Sequence, residues 1–216
     1  MVWVVMENHS YTQIIGSAEA PFINVLAAQC GLATSFFAET HPSLPNYLAM
    51  TSGSTHGVTN DDNPPSNVQS GPSIFSQLNG DWRVLAEDMP TPCSTSDRGS
   101  YVAHHNPAIY YLGLAAQCAA RDVPLRGPPD ISARFTFITP NNCHNMHSCT
   151  TSAVREGDNW LSQFIPQLLR SAQYRAGRTA IFLTWDEDDF NSANGNDIAT
   201  LVVAEHAGRG AIVHPL

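Results

Sequence analysis

Two short polar segments contain side chains that could together bind a divalent cation. They are ENHS at 7–10 and DEDD at 186–189, and each follows a long apolar run. Carboxylate and amide oxygens are hard ligands that suit Mg²⁺, Ca²⁺ or Mn²⁺ and are tolerated by Zn²⁺ or Fe. Acids crowded in a packed protein repel one another unless a cation or solvent relieves them. The alternative is that both segments are simply solvated turns or loops. If they bind a metal, the predicted ligands are Glu7, Asn8, Asp186 and Glu187.

Ser43 is the candidate nucleophile. It stands between Pro42 and Pro45, where a helix is predicted to begin, so its backbone is stiff. A serine at a helix start beside a metal can be activated as an alkoxide, and the helix end favours a phosphoryl group. The alternative is that Ser43 only caps the helix.

Two histidine-containing loops could supply a proton donor. They are HHNP at 104–107 and NNCHNMH at 141–147. An imidazole there could protonate a leaving alkoxide, and others could orient phosphoryl oxygens. Each loop could equally be solvated surface. The roles of His41 and His56 stay open.

These side chains need a sheet to bring them together. Apolar runs predict strands at 1–6, 82–88, 135–140, 179–185 and 199–205. Helical spacing predicts helices at 20–30, 45–52, 73–80 and 158–174. Alternation of the two predicts an α/β fold, a doubly wound sheet with helices on both faces. Ligands of such sheets bind beyond the carboxyl ends of the strands, where the polar segments lie.

Three residues are predicted to set helix boundaries. Gly31 should end the first of these helices, and Asp158 is a plausible N-cap for the last. Pro166 lies within that last helix, and we expect it to kink the helix or split it in two.

Charge and hydropathy restrict the class of partner. The net charge is −9 with only ten Lys and Arg, and these form no cluster, which disfavours nucleic acid as a partner. No apolar run approaches the roughly 20 residues of a membrane span, so no transmembrane segment is expected. The oligomeric state is left open.

The five cysteines indicate a compartment. Cys143 and Cys149 flank the short loop CHNMHSC, Cys93 and Cys118 flank a polar stretch, and Cys30 is predicted to be a buried free thiol. Two disulfides, Cys93–Cys118 and Cys143–Cys149, would fit an oxidising compartment; five reduced cytosolic thiols are the alternative. We therefore expect a secreted protein whose leader is absent from this sequence.

Five motifs in order resemble the phosphoesterase family of secreted bacterial and fungal acid phosphatases and phospholipases C. They are MENHSY, THPSLPNYLAMTSGSTHGV, HHNP, ITPNNCHNMHSC and TWDEDD, and the resemblance spans about residues 1–205. That family belongs to the alkaline phosphatase superfamily. The resemblance implies an alkaline-phosphatase-like α/β fold, a three-layer sandwich with a central, mostly parallel β-sheet flanked by helices on both faces.

The resemblance also implies residue roles. Glu7, Asn8, Asp186 and Glu187 match the family's metal ligands. Ser43 matches the nucleophile that forms a phosphoseryl intermediate, and His105 and His147 resemble active-site histidines. The residues expected to contact substrate are Asn46, His104 and Asn142.

The expected function is hydrolysis of small phosphate monoesters by a secreted, metal-dependent acid phosphatase. The alternatives are a phospholipase C or phosphodiesterase with the same site, or a non-catalytic secreted paralogue. We expect residues 1–216 to form a single phosphoesterase domain. Family members usually continue into a His-Tyr-Ser segment, which this sequence is expected to lack.

Overall fold

The computed structural model describes residues 1–149, 152–190 and 195–205, and the backbone of 212–213. Its strands form one sheet. They are β1 (Val2–Met6), β2 (Gly31–Ala33), β3 (Trp82–Ala86), β4 (Asp122–Pro124), β5 (Phe135–Thr139), β6 (Ile181–Trp185), β7 (Thr200–Val203) and β8 (Ile212–Val213). The expected lack of a His-Tyr-Ser segment concerns the end of the sequence, which lies outside the described residues.

The sheet is mostly parallel, as predicted. Its strand order is β4-β3-β5-β1-β6-β7-β2-β8. Within the described strands, β7 runs antiparallel to β6 and β2, and the other paired neighbours are parallel. Because β1 lies between β5 and β6, the segments that follow these three strands emerge side by side at one edge.

Helices cover both faces of the sheet. They are α1 (Tyr11–Ile14), α2 (Pro21–Gln29), α3 (Ser43–Ser52), α4 (Ile74–Gln77), α5 (Ala115–Arg121), α6 (Ala153–Leu169) and α7 (Ala172–Arg175). Successive residues of β1 point to opposite faces of the sheet: Val4 packs with α2 and α6, whereas Val5 packs with α3 and α4. This is the three-layer α/β architecture that was predicted. No helix in the described ranges is both long and apolar enough to cross a bilayer.

The sequence prediction failed for the shortest strands. β2, β4 and β8 have only two or three residues, too few to show an apolar run. Gly31 was expected to end a helix, but α2 ends at Gln29 and Gly31 is the first residue of β2. Its backbone pairs there with Val202 of β7.

The predicted boundaries of the last long helix were also wrong. The helix starts at Ala153 with Ser152 as its N-cap, so Asp158 lies inside it. The Asp158 carboxylate instead accepts the backbone N–H groups of Phe22 (3.1 Å) and Ile23 (2.9 Å), and so caps α2 from outside.

Pro166 does not divide this helix. The helix continues through Pro166 to Leu169, and the chain breaks only at Arg170–Ser171, where Ser171 caps α7. Pro166 has no N–H to donate to the carbonyl four residues before it, but only three helical residues follow it, so few further bonds depend on its position.

Both predicted disulfides are confirmed. Cys93 is bonded to Cys118, and Cys143 to Cys149. Cys30 is a free thiol as expected, but it is half-buried rather than buried.

Candidate active site

Three carboxylates meet at the edge of the sheet. Glu7 follows β1, and Asp186 and Glu187 follow the adjacent parallel strand β6. The Asp186 N–H donates to the carbonyl of Met6 (3.0 Å), so strand pairing continues to the first acid. The side chains are 0–1% exposed although all three are ionisable. Such burial requires partners, because an unpaired buried charge is strongly unfavourable.

Ser43 points its hydroxyl into this carboxylate group. It is the first residue of α3 and is 4% exposed. Its Oγ lies 3.1 Å from Glu7 Oε2 and 3.4 Å from Glu187 Oε1. The side chain that accepts a backbone N–H at the start of this helix is Asp61, whose carboxylate accepts the Leu44 N–H (2.8 Å). Ser43 therefore does not act as the helix cap.

Asn46 orders the turn that precedes Ser43. Its side-chain oxygen accepts the N–H groups of Glu39 and Thr40, each at 3.1 Å. Its amide nitrogen donates to the carbonyl of Thr40 (2.8 Å) and lies 3.4 Å from Glu187 Oε2. Both ends of the amide are engaged with protein atoms, and the substrate contact expected of Asn46 stays a prediction.

Asn8 completes the group with an amide. One polar atom of its side chain lies 3.3 Å from Glu7 Oε2 and 3.1 Å from Glu187 Oε1. If it is nitrogen, it donates to both carboxylates. If the amide is rotated by 180°, an oxygen faces two carboxylate oxygens, which is favourable only with a cation among them. The Asn8 side chain thus lies between Glu7 and Glu187, and its backbone N–H donates to Asp186 Oδ1 at 3.2 Å.

Electrostatics make a cation a good fit. Burial raises the pKa of the Glu7 carboxyl well above its usual value, and repulsion from Asp186 raises it further. Burial raises the pKa of Asp186 to about 7, and burial and the Asp186 charge raise that of Glu187 to about 9. In the described structure, the basic side chains paired with Glu187 and Glu7 are histidines, and neither acid pairs with an arginine. A divalent cation would supply the missing positive charge.

Sequence reasoning missed three residues around this group. Tyr47 donates its hydroxyl to Glu7 Oε1 (2.5 Å). His41, left open above, places Nδ1 2.9 Å from Glu187 Oε2. Asp61 reaches α3 from a long polar loop. Tyr47 follows Ser43 by one helical turn, a spacing that could have identified it; Asp61 gave no such signal.

His105 is buried against the Glu7 carboxylate. It is 3% exposed, and its Nε2 is 3.2 Å from Glu7 Oε1 without hydrogen-bond geometry. The ring stacks on Tyr47 at 5.4 Å. Burial lowers the pKa of His105 well below its usual value.

The remaining predicted residues lie farther out. The His104 ring centre is 4.5 Å from that of His105, and the exposed His147 ring is at 6.4 Å. Burial lowers the pKa of both His104 and His147. Asn142 is held by backbone bonds with Ser100 and Ser148, and none of its described contacts reaches Ser43.

The loop that carries His147 is held by contacts with two strand ends. His144 Nδ1 lies 2.8 Å from Glu87 Oε2, at the end of β3. The Glu7 N–H donates to the carbonyl of Asn145 (2.8 Å). Gly157 of α6 allows the close approach: a Cβ there would meet Met146, with Cε at 2.7 Å, and lie 3.0 Å from the His144 carbonyl.

The HHNP loop is anchored through Asn106. Its amide nitrogen lies 2.9 Å from both oxygens of the buried Asp122. Cys93, Cys118 and Asp122 bring possible metal-ligand atoms within 4.8 Å of one another. The two sulfurs are joined in a disulfide, however, and cannot serve as thiolate ligands.

This anchor makes stability depend on pH. Burial raises the pKa of Asp122 from 3.8 to about 7, so the folded state keeps a proton that the unfolded state releases. The contribution of Asp122 to the free energy of unfolding should therefore fall as pH rises from about 4 to about 7, by up to about 4 kcal/mol. Denaturant unfolding at these pH values should show a shallower fall in Asp122→Asn. Asp130→Asn is the control, because its pKa is lowered and it titrates below this range. Parallel curves for wild type and Asp122→Asn would contradict the assignment.

Relatives of this chain are phosphatases. The Phosphoesterase family matches residues 17–193. The chain is 34% identical to the phosphatidylinositol-3-phosphatase of Mycobacterium tuberculosis, over 97% of this chain and 70% of the relative. It is 30% identical to the phosphate-repressible acid phosphatase of Penicillium chrysogenum, over 85% of this chain and 48% of the relative. The chain thus spans about half the length of the fungal relative.

Solved structures support the fold. A protein in the alkaline phosphatase superfamily from Vibrio parahaemolyticus matches with a TM-score of 0.63 at 12% identity, over 96% of this chain and 60% of that one. The lipoteichoic acid synthase LtaP of Listeria monocytogenes matches with a TM-score of 0.57 at 12% identity, over 96% and 66%. The chain therefore belongs to the phosphoesterase family, hydrolases that act on phosphate esters, and has the fold of the alkaline phosphatase superfamily.

Proposed function

We propose that this chain is a secreted, metal-dependent acid phosphatase that hydrolyses small phosphate monoesters through a phosphoseryl intermediate on Ser43. The observation that carries the proposal is the position of Ser43 Oγ at the start of α3, 3.1 Å and 3.4 Å from oxygens of Glu7 and Glu187. The names of the acid phosphatase relatives support the reaction class.

Glu7, Asn8, Asp186 and Glu187 would hold the divalent cation. When bound, it supplies positive charge that stabilises an ionised serine oxygen and the phosphate anion. The buried carboxylates and the Asn8 amide that faces them support this assignment.

The protein groups then have distinct tasks. Ser43 gives up its proton to solvent, its Oγ attacks phosphorus, and the ester P–O bond breaks. The leaving oxygen takes a proton from His147, which we favour because it is exposed, whereas His105 is buried beside Glu7. Water then attacks phosphorus and passes a proton to His147, the bond between phosphorus and Ser43 Oγ breaks, and Oγ takes a proton from solvent as phosphate leaves. Because the pKa of His147 is lowered, the protonated acid is present only at acidic pH. The two disulfides support secretion.

The experiment is to trap the intermediate. The protein, supplied with Mn²⁺, is incubated at pH 4–7 with 4-nitrophenyl phosphate and, in parallel, with the diester bis(4-nitrophenyl) phosphate, then quenched in acid and mapped by mass spectrometry. We expect turnover and one phosphoryl group on Ser43. Turnover without phosphoserine would refute the mechanism. Turnover of diesters alone would support the phosphodiesterase alternative, and no turnover of any ester would identify a non-catalytic paralogue.

A further inference from the structure

Each of the three site carboxylates has one oxygen that is held by a donor other than the Ser43 hydroxyl and the Asn8 side chain. For Glu7 that oxygen is Oε1, which accepts the Tyr47 hydroxyl at 2.5 Å. The other oxygen, Oε2, faces Ser43 Oγ at 3.1 Å and the Asn8 amide at 3.3 Å. Tyr47 is fully buried, and the bond fixes which edge of the carboxylate faces Ser43.

Glu187 has the same arrangement with different donors. His41 Nδ1 lies 2.9 Å from Oε2, and the Asn46 amide nitrogen is 3.4 Å from the same atom. The second oxygen, Oε1, is left to Ser43 at 3.4 Å and Asn8 at 3.1 Å. His41 is itself held by Asp188, whose Oδ1 lies 3.3 Å from Nε2.

Asp186 completes the pattern through backbone donors. Its Oδ1 accepts the N–H groups of Glu187 (2.8 Å) and Asn8 (3.2 Å). Its Oδ2 is buried and has no hydrogen-bond partner among the described atoms. Ser43 and Glu7 lie within interaction range of this carboxyl. A buried carboxylate oxygen beside two other carboxylates fits a site that takes a cation.

We propose that Tyr47 and His41 are positioning residues that make Glu7 and Glu187 one-oxygen ligands, so that the site prefers a small cation such as Mg²⁺ or Mn²⁺ over Ca²⁺. The inference rests on the proposed metal dependence. Ca²⁺ takes six to eight oxygens and often binds a carboxylate through both. Here Tyr47 and His41 already bond Glu7 Oε1 and Glu187 Oε2, so each carboxylate has one oxygen left that could bind a cation.

A structural role for Tyr47 alone would not give this selectivity. A buried tyrosine hydroxyl needs a partner wherever it lies, and Glu7 could merely be that partner. Loss of a merely structural bond weakens binding of both cations in proportion. Loss of a bond that blocks Oε1 changes the ratio of the two affinities, because the freed oxygen can join a larger coordination shell.

The test measures cation binding without substrate. Mn²⁺ and Ca²⁺ are titrated calorimetrically into chelator-treated wild type, Tyr47→Phe and His41→Gln. Wild type should bind Mn²⁺ more tightly than Ca²⁺. Each variant should lose about 10–100-fold in Mn²⁺ affinity, the usual effect of removing a partner of a metal ligand. Ca²⁺ affinity should fall less or rise, so the affinity ratio should drop.

The matched control is Tyr111→Phe. It removes another buried hydroxyl, which bonds Thr51 at 2.7 Å on the same helix but does not touch the carboxylates. This control should keep the wild-type ratio. His41 is 28% exposed and provides a second variant should Tyr47→Phe not fold.

The outcomes separate the two proposals. An unchanged ratio in both variants, with a wild type that binds Mn²⁺ and turns over ester, overturns the positioning role and leaves the proposed function intact. A wild type that prefers Ca²⁺ overturns the selectivity. A wild type that binds neither cation overturns both the metal dependence and this inference.

Discussion

Replacement of Ser43 by alanine should abolish phosphate-ester hydrolysis while the protein stays folded. Ser43 Oγ is the hydroxyl that faces Glu7 and Glu187, and no other described side chain offers a hydroxyl to both. Loss of the nucleophile in a hydrolase that acts through a covalent intermediate lowers kcat by at least about a thousandfold. The measurement is steady-state hydrolysis of 4-nitrophenyl phosphate at acidic pH with Mn²⁺ present.

The control for this variant is Ser52→Ala. Ser52 ends the same helix, and its hydroxyl bonds the carbonyl of Leu48 at 2.8 Å, away from the carboxylates. The Ser52 variant should keep most of the activity. Turnover in Ser43→Ala within tenfold of wild type would mean that water, rather than a phosphoserine, carries the reaction.

Removal of divalent cations should also stop turnover and should lower the free energy of unfolding. Without a cation, three buried carboxylates face one another, and the basic side chains paired with Glu7 and Glu187 in the described structure are histidines rather than Lys or Arg. A cation that binds only the folded state stabilises it by about 2.7 kcal/mol at a concentration 100 times its Kd. Exhaustive chelation followed by return of Mn²⁺ should restore both quantities, as measured by ester hydrolysis and denaturant unfolding.

Ser43→Ala distinguishes binding from chemistry in this experiment. The variant keeps all the proposed ligands, so it should still be stabilised by Mn²⁺ although it is inactive. Full activity after exhaustive chelation would contradict the metal requirement. Activity that responds to Mn²⁺ without any change in stability would place the cation on the substrate instead of the protein.

The central strands could be predicted because each is a buried apolar run that ends in polar residues. Pairing of β1 with β6 then brings Glu7 to Asp186 without any further information. The short strands β2 and β4 could not be predicted, because three residues carry no periodicity. Asp158 was misjudged for another reason: it caps a helix 135 residues away in sequence, and local patterns cannot reveal such a partner.

The part of the candidate site that could be predicted consists of residues in an unusual sequence context. The residues that could not be predicted stand in contexts that are common in any protein. Acids after buried strands and a serine between prolines indicated Glu7 and Ser43. His41 gave no comparable signal, because a lone histidine is usual in any protein. Tyr47 had only its spacing of one helical turn from Ser43, and a tyrosine in an apolar helix pattern is equally usual. Their contacts with the carboxylates exist only after the sheet and α3 have packed together.

Gly157 links the evolution of a helix to that of the site. A glycine inside a helix costs about 1 kcal/mol relative to alanine, so helical preference alone selects against it. Its missing Cβ leaves room for Met146, in the loop that also carries His147. A lineage that gains a side chain at 157 must therefore shorten residue 146 or displace the loop. We expect these two positions to covary among descendants of this sequence, although neither bears a reactive group.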